Sequence, residues 1–139
     1  MIISGNLLDK IIEALSKMPI EWDGYQVYLY WKEVNSRYLK QTEWIGWRFQ
    51  ELCEQFLKQT QMFDFSPQRY GYADFDAFAE IPWDFKSHIR KNFHGQETHK
   101  VPGTDERATF QAIKDYGAVG FIVGIGNAVF NDMDRSFQR

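Results

Sequence analysis

Two aspartates and a lysine are the residues whose types and spacing could support chemistry in this chain. Asp76 precedes a candidate tight turn centred near Glu80, and Asp84 and Lys86 follow it. In an antiparallel hairpin, residues at equal distances from the turn face each other, so we expect Asp76 opposite Asp84. Directly opposed side chains have Cβ atoms about 4.5–5.5 Å apart. Two carboxylates that close repel each other, and one is pushed toward its protonated form.

A divalent cation would relieve this repulsion by binding both carboxylates. Mg²⁺ takes oxygen ligands at ~2.1 Å and keeps several of its waters. Lys86 lies two residues after Asp84, on the same strand face, so its ammonium can reach the same volume. Two acids and a lysine around a metal suit phosphodiester hydrolysis, because the metal polarises the phosphoryl oxygen and the lysine supports the attacking water. The alternative is a solvated strand face, since charges often alternate on strands.

The first half of the chain is predicted to be helical and to support this hairpin. Apolar residues recur at helical spacing over 7–15, after Ser4 or Asn6 as the capping residue. A second helix is predicted over 25–39, following the break at Asp23 and Gly24. A third helix is predicted after Thr42, on the strength of an apolar stripe made of Ile45, Phe49, Leu52, Cys53, Phe56 and Leu57.

The second half is predicted to hold three strands, a helix and a last strand. The strands are expected over 62–65, 70–78 and 81–88, where apolar and polar residues alternate. A helix is expected after Thr104, with Phe110, Ile113 and Tyr116 on its buried face. The apolar run 119–125 is typical of a strand buried on both faces. A strand–helix–strand crossover makes this last strand parallel to its partner.

Residues 43–134 resemble the PD-(D/E)xK nuclease superfamily and, within it, the type II restriction endonucleases. The resemblance rests on Asp76 and on the stretch Ile81-Pro82-Trp83-Asp84-Phe85-Lys86-Ser87-His88, together with the segment 118–124 later in the chain. The resemblance implies an α/β restriction-endonuclease-like core, a small mixed sheet flanked by helices, behind a helical N-terminal half. It also implies Mg²⁺ dependence, with Mn²⁺ as a substitute, and DNA cleavage. Two departures stand out: Phe75 replaces the motif's proline, and Asp84 replaces its commoner glutamate.

By this motif Asp76 and Asp84 are the metal-binding catalytic acids and Lys86 is the catalytic lysine. Asp74 competes with Asp76 as the first acid, because the same hairpin count sets it opposite Lys86. Such nucleases often take a further acid from the preceding helix. Candidates there are Glu43, Glu51 and Glu54, of which Glu43 is favoured for its place near a helix end. A solvated helix face is the favoured explanation of these glutamates.

Contact with DNA is expected from the segment 86–100, where basic residues outnumber the single acid. Lysine and arginine neutralise phosphates, and asparagine and arginine can read base edges. The residues predicted to bind DNA are Lys86, His88, Arg90, Lys91, Asn92 and Lys100. An ordinary surface loop is the alternative interpretation of this composition.

Composition bounds the class of protein. The 139 residues predict a single domain spanning 1–139, with a helical part over 1–60 and the catalytic hairpin, helix and strand over 61–139. The net charge of −3 argues against a generally basic nucleic-acid coat protein but allows a local basic groove. No apolar run approaches the ~20 residues of a membrane helix. One cysteine, Cys53, and no recognisable signal peptide predict a cytoplasmic protein without membrane partners.

The resulting hypothesis is a Mg²⁺-dependent endonuclease acting on double-stranded DNA, of type II restriction character within a restriction–modification system. A palindromic target would need two active sites, so a homodimer is expected. One alternative is a DNA repair or recombination nuclease on the same core. Another is a degenerate or truncated DNA-binding protein without turnover.

Overall fold

The computed structural model describes residues 2–36, 44–65, 75–89 and 106–127. Over these residues the chain forms an α/β structure of four α-helices and a small mixed sheet of three strands. The helices are α1 (Gly5–Ser16), α2 (Gly24–Glu33), α3 (Trp44–Leu57) and α4 (Glu106–Tyr116). A short 3₁₀ turn, Lys58–Thr60, follows α3. The strands are β1 (Ala77–Ala79), β2 (Ile81–Ile89) and β3 (Gly120–Gly126).

The first two helices begin where the sequence supplies a capping side chain. The Ser4 hydroxyl accepts a hydrogen bond from Leu7 N, so Ser4, of the two predicted caps, starts α1. The carboxylate of Asp23 accepts from the amides of Tyr25 and Gln26 and starts α2. The predicted second helix extends too far, because Asn35 adopts a left-handed conformation with φ of 51° just after α2.

The sheet has the order β1-β2-β3, with β1 antiparallel and β3 parallel to β2. The predicted parallel pairing of the last strand is therefore confirmed. Of the predicted strand over 70–78, residues 70–74 lie outside the described residues, and β1 covers only Ala77–Ala79. The segment 62–65 forms no strand. It contributes a single bridge, in which Asp64 and Phe78 exchange backbone hydrogen bonds of 2.8 Å.

One face of the sheet packs against α1 and α3 and forms the main core. Leu7 and Ile11 from α1 and Phe49 and Leu57 from α3 are buried against this face. The strands contribute Ala77, Ala79, Ile81, Trp83 and Phe85. Close packing here needs a small residue on β3, since a Cβ at Gly124 would lie 2.6 Å from the Phe49 ring. This apolar layer is the platform that fixes β2.

Two predictions about the C-terminal elements are wrong. Phe110 and Ile113 are exposed at 69% and 47%, whereas Ala112 is the fully buried residue of α4. Of the predicted set, only Tyr116 packs inward, edge-on to Phe78. Strand β3 is not buried on both faces, because Phe121, Val123 and Ile125 are exposed on one face, while Ile122 and Gly124 are half-buried on the other.

None of the helices within the four described ranges combines the length and the apolar character needed to cross a membrane.

Candidate active site

The hairpin that carries the candidate residues turns at Glu80, as the sequence predicts. Ala79 pairs with Ile81, so Glu80 alone connects β1 to β2, with φ of 62° in the left-handed region. Its carboxylate accepts hydrogen bonds from Ser4 N at 2.8 Å and from Ser4 Oγ at 2.6 Å. These bonds hold the pKa of Glu80 below its usual value. One serine thus starts α1 and attaches it to the turn, which fixes the hairpin against the helix.

Along β2, residues that pack into the core alternate with polar residues of the candidate site. Trp83 and Phe85 point into the core against α1 and α3. Asp84, Lys86 and His88 occupy the intervening positions and therefore share the opposite face. Burial of the aromatic residues fixes the register of the strand, because a slip of one residue would exchange the two faces. The apolar core thereby sets the position of the acid and the lysine.

Asp76 lies beside Asp84, one step beyond the last residue pair of β1 and β2. Its amide donates to Trp83 O at 2.9 Å, and its Oδ2 accepts from Phe85 N at 2.7 Å. The Asp84 side chain acts on Asp76 both as a hydrogen-bonding neighbour and as a nearby charge, and both effects raise the pKa of Asp76. A hydrogen bond between two carboxyl groups needs a proton on one of them, since two ionised carboxylates have no donor to share.

The surroundings of Asp76 favour its protonated form. Burial is the largest cause and the hydrogen bond with Asp84 the next, and together they raise the pKa of Asp76 to about 8. The Phe85 amide and the Lys86 charge act in the opposite direction, and the Asp84 charge adds to the rise. At neutral pH the pair therefore holds one proton and one negative charge.

Lys86 supplies the positive charge of this cluster. Its Nζ lies 3.3 Å from Asp84 Oδ2. The Asp84 side chain is only 3% exposed, whereas that of Lys86 is 26% exposed. Solvent and ligands therefore reach the pair from the side of the lysine. The ion pair balances the remaining charge of the two acids, which would otherwise be costly to bury.

The donor set of this cluster fits a hard divalent cation held by two carboxylates. Mg²⁺ is commonly bound in proteins through one or two carboxylates, with water completing the octahedron. Asp76 and Asp84 would provide the two oxygens, and the ion would replace the proton between them. Within the described residues no group of three or more His, Cys, Asp or Glu side chains could hold a metal. The two further predicted ligands, Asp74 and Glu43, lie outside those residues.

The two described helix acids differ in their surroundings. Glu51 accepts hydrogen bonds from Trp31 Nε1 at 2.9 and 3.0 Å and forms an ion pair with Arg48. It therefore faces α2 and is committed to packing the helices together. Glu54 accepts from Gln50 Nε2 at 3.4 Å. Its charge acts on Cys53, as does that of Asp76, which makes Glu54 the described helix acid linked to the hairpin pair.

The predicted DNA-binding residues are only partly described. His88 is half-buried and lies two residues beyond Lys86 on the same face of β2. The other predicted contacts lie outside the described residues: Arg90, Lys91, Asn92 and Lys100.

Two residues of this region escaped the sequence analysis as partners of the site. Cys53 is fully buried under the hairpin, and burial raises the pKa of its thiol, with the charges of Asp76 and Glu54 adding to the rise. Only its place in an apolar stripe marks it in the sequence. Ser4 is recognisable as a helix cap, but its second role depends on a contact with Glu80, 76 positions away.

Comparison with known protein families, curated proteins and solved structures found no match to this chain.

Proposed function

We propose that this chain is a Mg²⁺-dependent endonuclease that hydrolyses phosphodiester bonds of double-stranded DNA, on a restriction-endonuclease-like core. The observation that carries the proposal is the hairpin cluster. Asp76 lies beside Asp84 with its pKa raised to about 8, and Lys86 Nζ lies 3.3 Å from Asp84 Oδ2. A pair of acids held together in a nearly buried site, with its pKa raised by that burial, is a site where a cation can replace a proton.

The roles follow from position and exposure. Asp76 and Asp84 would hold the ion, and a bound Mg²⁺ would polarise a phosphoryl oxygen and lower the pKa of water. Lys86 is the more exposed member, so its ammonium can meet a phosphate oxygen or orient the attacking water. Phe85 N fixes the Asp76 carboxyl group by donating to its Oδ2.

Cleavage of supercoiled plasmid in Mg²⁺ tests the proposal. We expect Lys86→Ala and Asp84→Asn to lower the cutting rate by at least about 100-fold, in the range of lost acid–base and charge stabilisation. Lys114→Ala, a surface lysine on α4, is the matched control and should cut like the wild type. Lys86→Ala should still bind metal, since both carboxylates remain. An unchanged rate in Lys86→Ala would remove the lysine from the mechanism.

The products separate two kinds of nuclease. Discrete fragments from long duplex DNA would support restriction-type recognition of sequence. Cleavage confined to branched or flapped substrates would support a repair or recombination nuclease, which recognises DNA structure.

The burial of Asp84 favours one second candidate. Its side chain is 3% exposed and already paired with Lys86, which also suits a purely structural ion pair in a DNA-binding protein without turnover. DNA binding with no metal-dependent cutting, in the wild type as in Lys86→Ala, would support this candidate against the nuclease.

A further inference from the structure

The open edge of the sheet carries a row of exposed apolar side chains. Phe121, Val123 and Ile125 alternate along β3 and are 45%, 39% and 58% exposed. Register with β2 places them beside Asp84, Lys86 and His88, on the same face as the candidate active site. The row therefore lies next to the acids rather than over the core.

Strand β3 also lacks the features that usually protect an edge. Its seven residues, Gly120–Gly126, contain no charge and no proline. It pairs only with β2 in the sheet formed by the described residues, so its outer backbone edge is open there. Natural edge strands are normally blunted by lysine, proline or a bulge, because a flat apolar edge pairs with another strand.

We propose that β3 pairs with β3 of a second copy of this chain, antiparallel and about a two-fold axis at Val123. This centre divides the strand symmetrically, so Phe121 of each copy faces Ile125 of the other. Such opposed large apolar side chains stabilise antiparallel pairs. The absence of charge means that two copies meet without repulsion. A two-fold contact of this kind is self-complementary and closes after two copies.

The pairing joins the two sheets into one of six strands, with both candidate sites on the same face. Strands about 4.8 Å apart and a rise of about 3.3 Å per residue put the two Asp84 Cα atoms about 20 Å apart. If the proposed function holds, each site would serve one strand of a duplex. The proposed dimer does not depend on catalysis. A dimer that cuts no DNA would contradict only the proposed function, and a monomer that cuts DNA would contradict only the proposed dimer.

The mass in solution and a charge-pairing experiment test the proposal. At the axis Val123 meets its own counterpart, so Val123→Lys and Val123→Glu should each raise the dimer dissociation constant at least about tenfold through like-charge repulsion. Mixing the two variants should restore a dimer, since lysine then meets glutamate. Mixing leaves the contact with Lys86 inside each copy unchanged, so recovery reports only on contact between copies. Ile20→Lys and Ile20→Glu, at a position 94% exposed, should behave like the wild type.

We expect wild-type protein at twice 16.5 kDa by light scattering and each Val123 charge variant at 16.5 kDa. A milder variant guards against misfolding: Val123→Cys should form a disulfide-linked dimer on oxidation, while Ile20→Cys should not. Cys53 is fully buried and gives no background. A monomeric wild type, charge variants that dimerise like it, or a mixture that stays monomeric would each overturn the proposal.

Discussion

The two faces of β2 contrast packing with chemistry. Trp83 and Phe85 are buried among apolar side chains from α1 and α3. Asp84 is buried as deeply, at 2% exposure, but among a second acid and a lysine. The apolar face gains free energy from burial, whereas the polar face must balance its charges to be tolerated at all. The core therefore sets the register of β2, and that register brings the two acids together.

A second contrast lies within the hairpin, between two carboxyl groups only four positions apart. Glu80 is exposed at the turn, and donors from Ser4 lower its pKa. Asp76 is removed from solvent beside another acid, and its pKa rises to about 8. The same functional group is thus stabilised as an anion at one end of β1 and as a neutral acid at the other.

The largest effect is expected from a substitution on the apolar face of β2. Phe85→Ala removes a core side chain that is 6% exposed, and we expect it to lower the free energy of unfolding by about 3–5 kcal/mol. The neighbouring Lys86→Met keeps the methylene stem and should cost clearly less. Chemical denaturation of both variants measures the difference. Equal losses of unfolding free energy in the two variants would contradict the assignment of stability to the apolar face of β2.

A smaller effect comes from the proton on the acid pair. The pKa of Asp76 is raised from its ordinary value of 3.8 to about 8 in the folded protein, so the folded state holds more protons than the unfolded state between these values. Without metal, the free energy of unfolding should therefore fall as pH rises from about 4 to about 8, by on the order of a few kcal/mol, and then level off. Denaturation across this range measures the slope.

Asp76→Asn should abolish this slope, because the amide donates to Asp84 as the protonated acid does. Asp115→Asn, an exposed acid on α4, is the control and should keep it. A wild type whose stability is constant from pH 4 to 8 would show that Asp76 is not protonated in the folded protein.

The smallest effect comes from Glu80 at the turn, and its contribution to stability changes with pH in the opposite direction to that of Asp76. Because the pKa of Glu80 is lowered, its contribution is present above the ordinary value of 4.5 and is lost as pH falls through the lowered pKa. Glu80→Gln should reduce the acid-side loss of stability while leaving the slope between pH 5 and 8 in place. Denaturation of both proteins between pH 2 and 5 checks this. A variant that loses as much stability as the wild type over this range would contradict it.

Sequence patterns predicted the helices, the turn at Glu80 and the parallel last strand, since periodicity, caps and crossover rules are local. They brought Asp76 to Asp84 by counting from the turn. They did not predict the exposure of Phe110, because a small residue, Ala112, occupies the buried side of α4. Nor could they supply the bond from Phe85 N to Asp76, which depends on how β1 bends before its first residue pair.

The central claim is that Asp76 and Asp84 jointly hold a hard cation next to Lys86. A crystal soaked in Mn²⁺ tests it most directly, through anomalous density between the two carboxyl groups. The account predicts one peak in contact with an oxygen of each aspartate, absent in Asp84→Asn and retained in Lys86→Ala. Carboxyl groups still bonded to each other at saturating Mn²⁺ and a pH above 8, with no peak between them, would contradict it.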